Sequence, residues 1–195
     1  MTRVRKKVNS NTGNIRIIGG EHRGRKLPVL NLEGLRPTTD RMKETVFNWL
    51  MLDVRNAKCI DCFAGAGSLG FEALSRGASH VQFIELDKPA AQQLSKNASL
   101  LRIDAESATV QQGNALQVLE TLKEAADLIF IDPPFHKGLV QSCVDMIQSK
   151  GLVKAGSKIY IERENNSQSL HVPDNWQQIK HKSTQQVSAE LYQVV

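Results

Sequence analysis

The sequence predicts a mostly parallel α/β sheet of seven strands, covered by helices on both faces and preceded by a small basic β-hairpin. Three observations lead there. Short apolar runs alternate with helical patterns from Lys58 to Lys150, a glycine-rich turn joins the first run to its helix, and polar residues recur just past the ends of successive runs.

Met1 to Asn14 is polar and basic and is expected to form a mobile arm. Ile15 to Ile18 reads as a short strand. Gly19-Gly20 is a turn signal that folds it onto a second strand near Arg25 to Val29, giving a hairpin over 15–34 ahead of a main domain over 35–195. Leu35 to Asp40 reads as a loop feeding a helix, capped by Thr38 or Thr39, with Asp40 suited to its positive end. Met42, Val46, Trp49 and Leu50 fall on one helical face and are expected in the core.

The alternation then begins. A strand from Lys58 ends in Asp61, Gly65 and Gly67 turn the chain, and a helix opens at Ser68. His80 to Leu86 is the next strand, and Asp87 and Pro89 open a helix running to about Leu101. Thr109 to Gln112 is a third strand, followed by Gly113-Asn114-Ala115 and a helix to about Lys123. Asp127 to Ile131 is nearly all apolar and so is buried on both faces. A helix from Leu139 to Lys150 stops at Gly151, and Ser157 to Glu162 is a fifth strand. Gln177 to Lys182 and Val187 to Val194 lack helical period and read as two further, antiparallel strands.

Charge is informative by position. Residues 1 to 26 hold eight Arg or Lys and one acid, a balance of +7, while the other 169 residues hold 17 basic and 19 acidic, a balance of −2. A solvated tail accounts for Arg3, Arg5, Lys6 and Lys7 as well as any binding role does. Arg16, Arg23, Arg25 and Lys26 interleave with the hairpin residues and point to a polyanion-facing surface. No apolar run approaches the ~20 residues of a membrane span, and the basic start lacks the apolar core of a signal peptide, so a soluble, cytoplasmic protein is expected. Cys59, Cys62 and Cys143 do not make a disulfide framework. Their odd spacing sends Cys59 and Cys62 to opposite strand faces as buried thiols, and the five histidines show no metal-ligand spacing, so no metal is expected.

Glycine at 65 and 67 permits positive φ and removes any Cβ between backbone and ligand, and the free N–H groups of the helix start add donors. Gly65, Gly67 and Gly70 also spell Gly-x-Gly-x-x-Gly, with Glu85 twenty residues past Gly65, an acid that suits ribose hydroxyls. The loop alone fits either a dinucleotide or S-adenosylmethionine. Four residues, Asp61 to Ala64, stand between the apolar run and Gly65, which leans towards the methyl donor. Asp132-Pro133-Pro134-Phe135 follows the fourth strand. Its prolines lock the backbone and remove two N–H donors, leaving carbonyl acceptors beside the Asp132 carboxylate and a flat Phe135 face. Such a site suits a planar base with an exocyclic amino group.

That tetrapeptide resembles the catalytic motif of amino-group methyltransferases acting on adenine or guanine. Together with Arg36-Pro37-Thr38-Thr39-Asp40-Arg41, Phe47 to Leu50, Asp61 to Gly67, Glu85 and Ile15 to Val29, the chain resembles the RsmD family of small-subunit ribosomal RNA guanine 2-amino methyltransferases. The resemblance implies a Rossmann-like class I methyltransferase and S-adenosylmethionine as methyl donor, with S-adenosylhomocysteine as product. It also implies 16S ribosomal RNA in the small subunit as partner, and a monomer suffices. Catalysis falls to Asp132, Pro133 and Phe135. The cofactor falls to Arg36, Thr38, Asp61, Phe63, Ala64, Gly65, Gly67, Glu85, Leu86, Asn114, Ala115 and Asp132, and the RNA to Arg16, Arg23, Arg25 and Lys26. At the third strand end the family generally carries an acid, whereas this chain has Asn114, whose carboxamide can still meet an adenine edge. Three other readings compete: a DNA adenine methyltransferase, an NAD-dependent oxidoreductase with His136 as its proton-transfer group, and a non-catalytic RNA-binding protein.

Overall fold

A computed structural model describes residues 12–30, 40–167 and 169–195. The chain opens with β1 (Thr12–Arg16) and β2 (Lys26–Leu30), then α1 (Asp40–Trp49), and continues as β3 (Lys58–Asp61), α2 (Ser68–Ser75), β4 (His80–Glu85), α3 (Lys88–Leu100), β5 (Ala108–Gln112) and α4 (Ala115–Thr121). It closes with β6 (Ala126–Ile131), α5 (Leu139–Ser149), β7 (Val153–Glu164), β8 (Trp176–Ser183) and β9 (Val187–Val194). Thr12 to Asn14 belong to β1, not to an arm, because they pair with Pro28 to Leu30 of β2. The rest of the expected arm, residues 1–11, and the loop holding Arg36, Thr38 and Thr39 lie outside the described residues.

The seven strands of the main sheet run in the order β5-β4-β3-β6-β7-β9-β8. β3 pairs parallel with both β4 and β6, β4 with β5, and β6 with β7, while β9 runs antiparallel between β7 and β8. Strand order reverses at β3 and β6. In open α/β sheets that reversal splays the following loops apart and opens a crevice at the carboxyl ends of the strands.

Side-chain alternation divides the core. Leu128 and Phe130 of β6 pack on one face with residues of α1, α2, α3 and the hairpin, and Ile129 and Ile131 pack on the other with those of α4 and α5. Cys59 and Cys62 lie in opposite halves of the core and are buried. Burial pushes both thiols up, so they act as small apolar groups.

Two features depart from the reading by periodicity. On α1 the buried residues are Lys43, Val46 and Phe47, with Leu50 just beyond, while Met42 and Trp49 are only partly buried. Lysine at a core position is tolerated here because its ammonium donates to the Arg16 carbonyl and lies 3.9 Å from the fully buried Glu72 carboxylate. The hairpin, too, is part of the core. Ile15, Ile17, Leu27 and Val29 are buried, Asn97 of α3 donates to the Pro28 carbonyl at 3.0 Å, and Arg25 to the Leu100 carbonyl at 3.0 Å.

The hairpin turn is latched to α2. Glu72 accepts from the Ile18 and Gly19 amides at 2.9 and 2.8 Å and from Arg76 at 2.7 Å. The Glu21 amide donates to the Ser75 carbonyl at 2.7 Å. Gly20, at φ +74, sits so close to that carbonyl that a Cβ would overlap it. Glycine is required there on both counts.

Candidate active site at the switch point

The glycine turn leaves the end of β3 and passes under the end of β4. Gly65 and Gly67 have φ of 51 and 82, and Gly67 stands at the left-handed N-terminal position of α2. Its amide closes a tight turn onto the Ala64 carbonyl at 2.6 Å. Two carboxylates hold this loop from below. Asp61 accepts from the Gly70 amide at 3.1 Å. Glu85 accepts from the Gly65 amide at 2.7 Å through one oxygen and from the Asp87 amide at 2.8 Å through the other. Each Glu85 oxygen keeps a lone pair for a hydroxyl. Burial pushes the Asp61 carboxyl up to about 7; the Gly70 amide pulls it back, and the neighbouring Glu85 charge adds to the rise.

Asn114 caps α4, its side-chain oxygen accepting from the Leu116 and Gln117 amides at 3.0 and 3.4 Å. The carboxamide oxygen is therefore engaged in the helix, and the Nδ2 hydrogens are the groups it can turn to a ligand.

The Asp132 to Phe135 segment leaves β6 at the neighbouring strand end. Pro133 is buried, Phe135 half-buried and Pro134 exposed. The segment is pinned from β7: Glu164 accepts from the His136 amide at 2.8 Å, and the His136 ring Nδ1 lies 3.1 Å from its other oxygen. This clamp holds His136 at φ 63, a conformation costly for a residue with a Cβ. His136 thus fixes the loop.

Asp61, Phe63, Ala64, Gly65, Glu85, Leu86, Asn114, Ala115, Asp132, Pro133 and Phe135 all line one cavity of ≈ 1870 Å³, an open cleft. That exceeds the ~300 to 1,000 Å³ of a single small-molecule pocket and leaves room for a second ligand beside the first. Gly67 is not on its lining; a Cβ there would meet Phe71 at 2.5 Å and Leu94 at 2.7 Å. Arg16, Arg23, Arg25 and Lys26 are exposed on the hairpin and do not line the cavity. Arg36 and Thr38 lie outside the described residues.

Several contributions to the cleft escaped the sequence reading, among them Gly13, Asn14, Val29 and Leu30 of the hairpin. Ser68 at the start of α2 lines the cavity, while its hydroxyl oxygen is buried without a hydrogen-bond partner among the described residues. Lys137 is exposed on the lining just past Phe135. The β8–β9 turn brings Thr184 to Val187 to the same space, a long-range contact that no local pattern announces. Glu162, near the end of β7, was findable, since the strand-end rule that picked Glu85 and Asp132 also applies to it. Its Oε2 accepts from the Tyr160 hydroxyl at 2.6 Å; burial pushes its carboxyl up and that hydroxyl opposes the rise.

The comparisons agree with this architecture. Residues 15–193 match the family described as Conserved hypothetical protein 95. Over 183 residues the chain is 48% identical to "Ribosomal RNA small subunit methyltransferase D" of Haemophilus influenzae, covering 93% of this chain and 94% of that one. The structure described as putative methyltransferase yhhF from Escherichia coli superposes with a TM-score of 0.86 at 44% identity, covering 93% of this chain and 98% of that chain. The 16S rRNA N2 methyltransferase RsmC of T. thermophilus, solved with AdoMet and guanosine, shares the fold alone, at 18% identity and a TM-score of 0.70, over 95% of this chain and 50% of that one.

The strand order, with its glycine loop and cleft at the reversal, is that of the class I methyltransferases. Within that class, the chain belongs to the RsmD family of ribosomal RNA methyltransferases. No helix among the described residues is long and apolar enough to cross a membrane, and no cluster of potential metal ligands occurs among them.

Proposed function

We propose that this enzyme transfers a methyl group from S-adenosylmethionine to the exocyclic 2-amino group of a guanine in 16S ribosomal RNA, acting in the cytoplasm on the assembled small subunit. The observation that carries the reading is the shared cavity: the Asp132 to Phe135 segment and the Gly65 loop come from adjacent strand ends at the reversal and line one space.

The residues fit the methyl donor. Glu85 keeps acceptors for ribose hydroxyls, Phe63 and Leu86 offer apolar surface, and Asn114 presents amide hydrogens to a ring nitrogen of the adenine. The α2 N-terminus at Ser68, on the cavity lining, suits the amino-acid end. When bound, S-adenosylmethionine supplies an electrophilic methyl group on a positively charged sulfur.

Asp132 and the Pro133 carbonyl hold the two hydrogens of the guanine amine and so aim its lone pair at the methyl carbon. The nitrogen–carbon bond forms as the carbon–sulfur bond breaks, and Asp132 takes the proton that the amine then sheds. Orientation of this kind supplies up to about 7 to 11 kcal/mol in favourable cases. A stacked or paired base cannot reach this pocket, so the guanine is splayed onto the Phe135 face. Lys137 at the rim and Arg16, Arg23, Arg25 and Lys26 on the hairpin supply cations for flanking phosphates.

The test is to incubate the enzyme with labelled S-adenosylmethionine and small subunits, free RNA or DNA lacking the modification, then digest the product to nucleosides. Label is expected in N2-methylguanosine from the small subunit. Label confined to DNA, or to a methylated adenosine, would reject the proposal.

A further inference from the structure

Asp132 and the Pro133 carbonyl account for the two hydrogens of an amino group, but adenine and cytosine carry amino groups as well. What separates guanine from both is the ring atom beside the amine. In guanine it is N1–H, a donor; in adenine and cytosine the corresponding nitrogen presents a lone pair. A third acceptor placed next to the amine acceptors therefore selects guanine, and a carboxylate there repels the other two.

The structure puts a carboxylate at that place. β6 and β7 run parallel with Ile131 opposite Ile161, so the next residue on each, Asp132 and Glu162, emerge side by side at the carboxyl edge of the sheet. Both line the cavity with Pro133 and Phe135. Tyr160, two residues back on the same face of β7, donates its hydroxyl to Glu162 Oε2 at 2.6 Å and lies close enough to Asp132 to feel its charge. Its ring is buried edge-on against Phe130, with centroids 6.3 Å apart, so the hydroxyl that orients Glu162 is itself held by the core.

Tyr160 is the one hydrogen-bond partner that Glu162 has among the described residues, which leaves Oε1 to accept from a ligand. A carboxylate so enclosed is short of donors, as the rise of its titration by burial indicates. Nothing in the transfer step described above uses it.

We propose that Glu162 is the specificity-determining acceptor of this site, taking the N1–H of the target guanine beside the amine held by Asp132 and Pro133. The inference rests on the guanine reading given above and adds the group that enforces it.

Glu162→Gln separates this role from a structural one. Its amide oxygen can still accept from Tyr160, while the amide hydrogens then face the base and oppose N1–H. Guanosine and 2-aminopurine ribonucleoside are the probes, as competitors of transfer to small subunits; the second keeps the 2-amino group but carries a lone pair at N1. The wild type is expected to prefer guanosine, and Glu162→Gln to lower that preference by at least about tenfold and slow single-turnover transfer by a similar factor. S-adenosylhomocysteine affinity and melting temperature should stay near wild type. An unchanged preference and transfer rate in a folded variant that binds S-adenosylhomocysteine would overturn the assignment of Glu162 and leave the guanine reading standing. A wild-type product other than N2-methylguanosine would remove the guanine reading, and the role of Glu162 with it.

Discussion

Asp132→Ala is expected to slow single-turnover methyl transfer by about 10² to 10³-fold or more while S-adenosylhomocysteine binds almost as well as before. The separation follows from where the contacts lie. The Gly65 loop and its flanks are held by Asp61 and Glu85, through hydrogen bonds to Gly70, Gly65 and Asp87, none of which passes through Asp132. The transfer step, in contrast, loses the acceptor that orients the amine and the group that receives its proton, and the Pro133 carbonyl alone cannot fix the lone pair in line. Rapid-quench transfer at saturating cofactor, set beside calorimetric binding of S-adenosylhomocysteine, reads both quantities. Equal losses in the two would mean that Asp132 serves the cofactor and not the base.

The largest effect on stability is expected from Glu72→Ala. Glu72 is fully buried; it holds the Ile18 and Gly19 amides, pairs with Arg76 at 2.7 Å and lies 3.9 Å from the Lys43 ammonium. Its removal takes the buried carboxylate from a buried lysine whose titration is already lowered, chiefly by burial, leaving it Asp40 at 3.7 Å and the Arg16 carbonyl, and leaves two amides without their acceptor. Removing one partner of such a network costs about 3 to 5 kcal/mol. For a chain of this size that is a fall of roughly 10 °C in melting temperature, since each kcal/mol is worth about 2 to 4 °C. Arg76 also lies over the Phe47 ring, its guanidinium carbon 5.1 Å from the centroid, so loss of its carboxylate disturbs the packing of α1 as well. Thermal unfolding by circular dichroism measures the loss; a shift of only a degree or two would show that the latch is not a main support of the hairpin.

The main sheet was legible because its strands are apolar runs closed by glycine, proline or a capping residue. The β3 to α2 turn, the Asp87 cap with Pro89 and the two final antiparallel strands fall within a residue or so of where local chemistry puts them. Local chemistry fails where a partner is distant in sequence. Lys43 looks solvent-facing by periodicity, and the Glu72 and Asp40 carboxylates and the Arg16 carbonyl make its burial tolerable. The hairpin reads as an appendage because its docking depends on a carboxylate 54 residues away from Ile18. β7 begins at Val153, earlier than its apolar stretch from Ser157, because its first residues pair at one point and then shift register against β6.

The same limit applies to the cleft. Asp61, Glu85 and Asp132 announce themselves as polar groups at strand ends. Asn114 reads equally as a cap and as a ligand contact, and its side-chain oxygen is engaged by the cap. The Thr184 to Val187 turn reaches the cavity only through the antiparallel pairing of β8 and β9, which no pattern within the turn encodes.

The most direct test of the central claim is a crystal structure with S-adenosylhomocysteine and guanosine bound together. The account predicts the guanine ring on the Phe135 face, its N2 within hydrogen-bonding distance of both the Asp132 carboxylate and the Pro133 carbonyl, and the thioether sulfur over the Gly65 loop facing that nitrogen. Guanosine seated away from Asp132, or a sulfur screened from N2 by protein side chains, would contradict it.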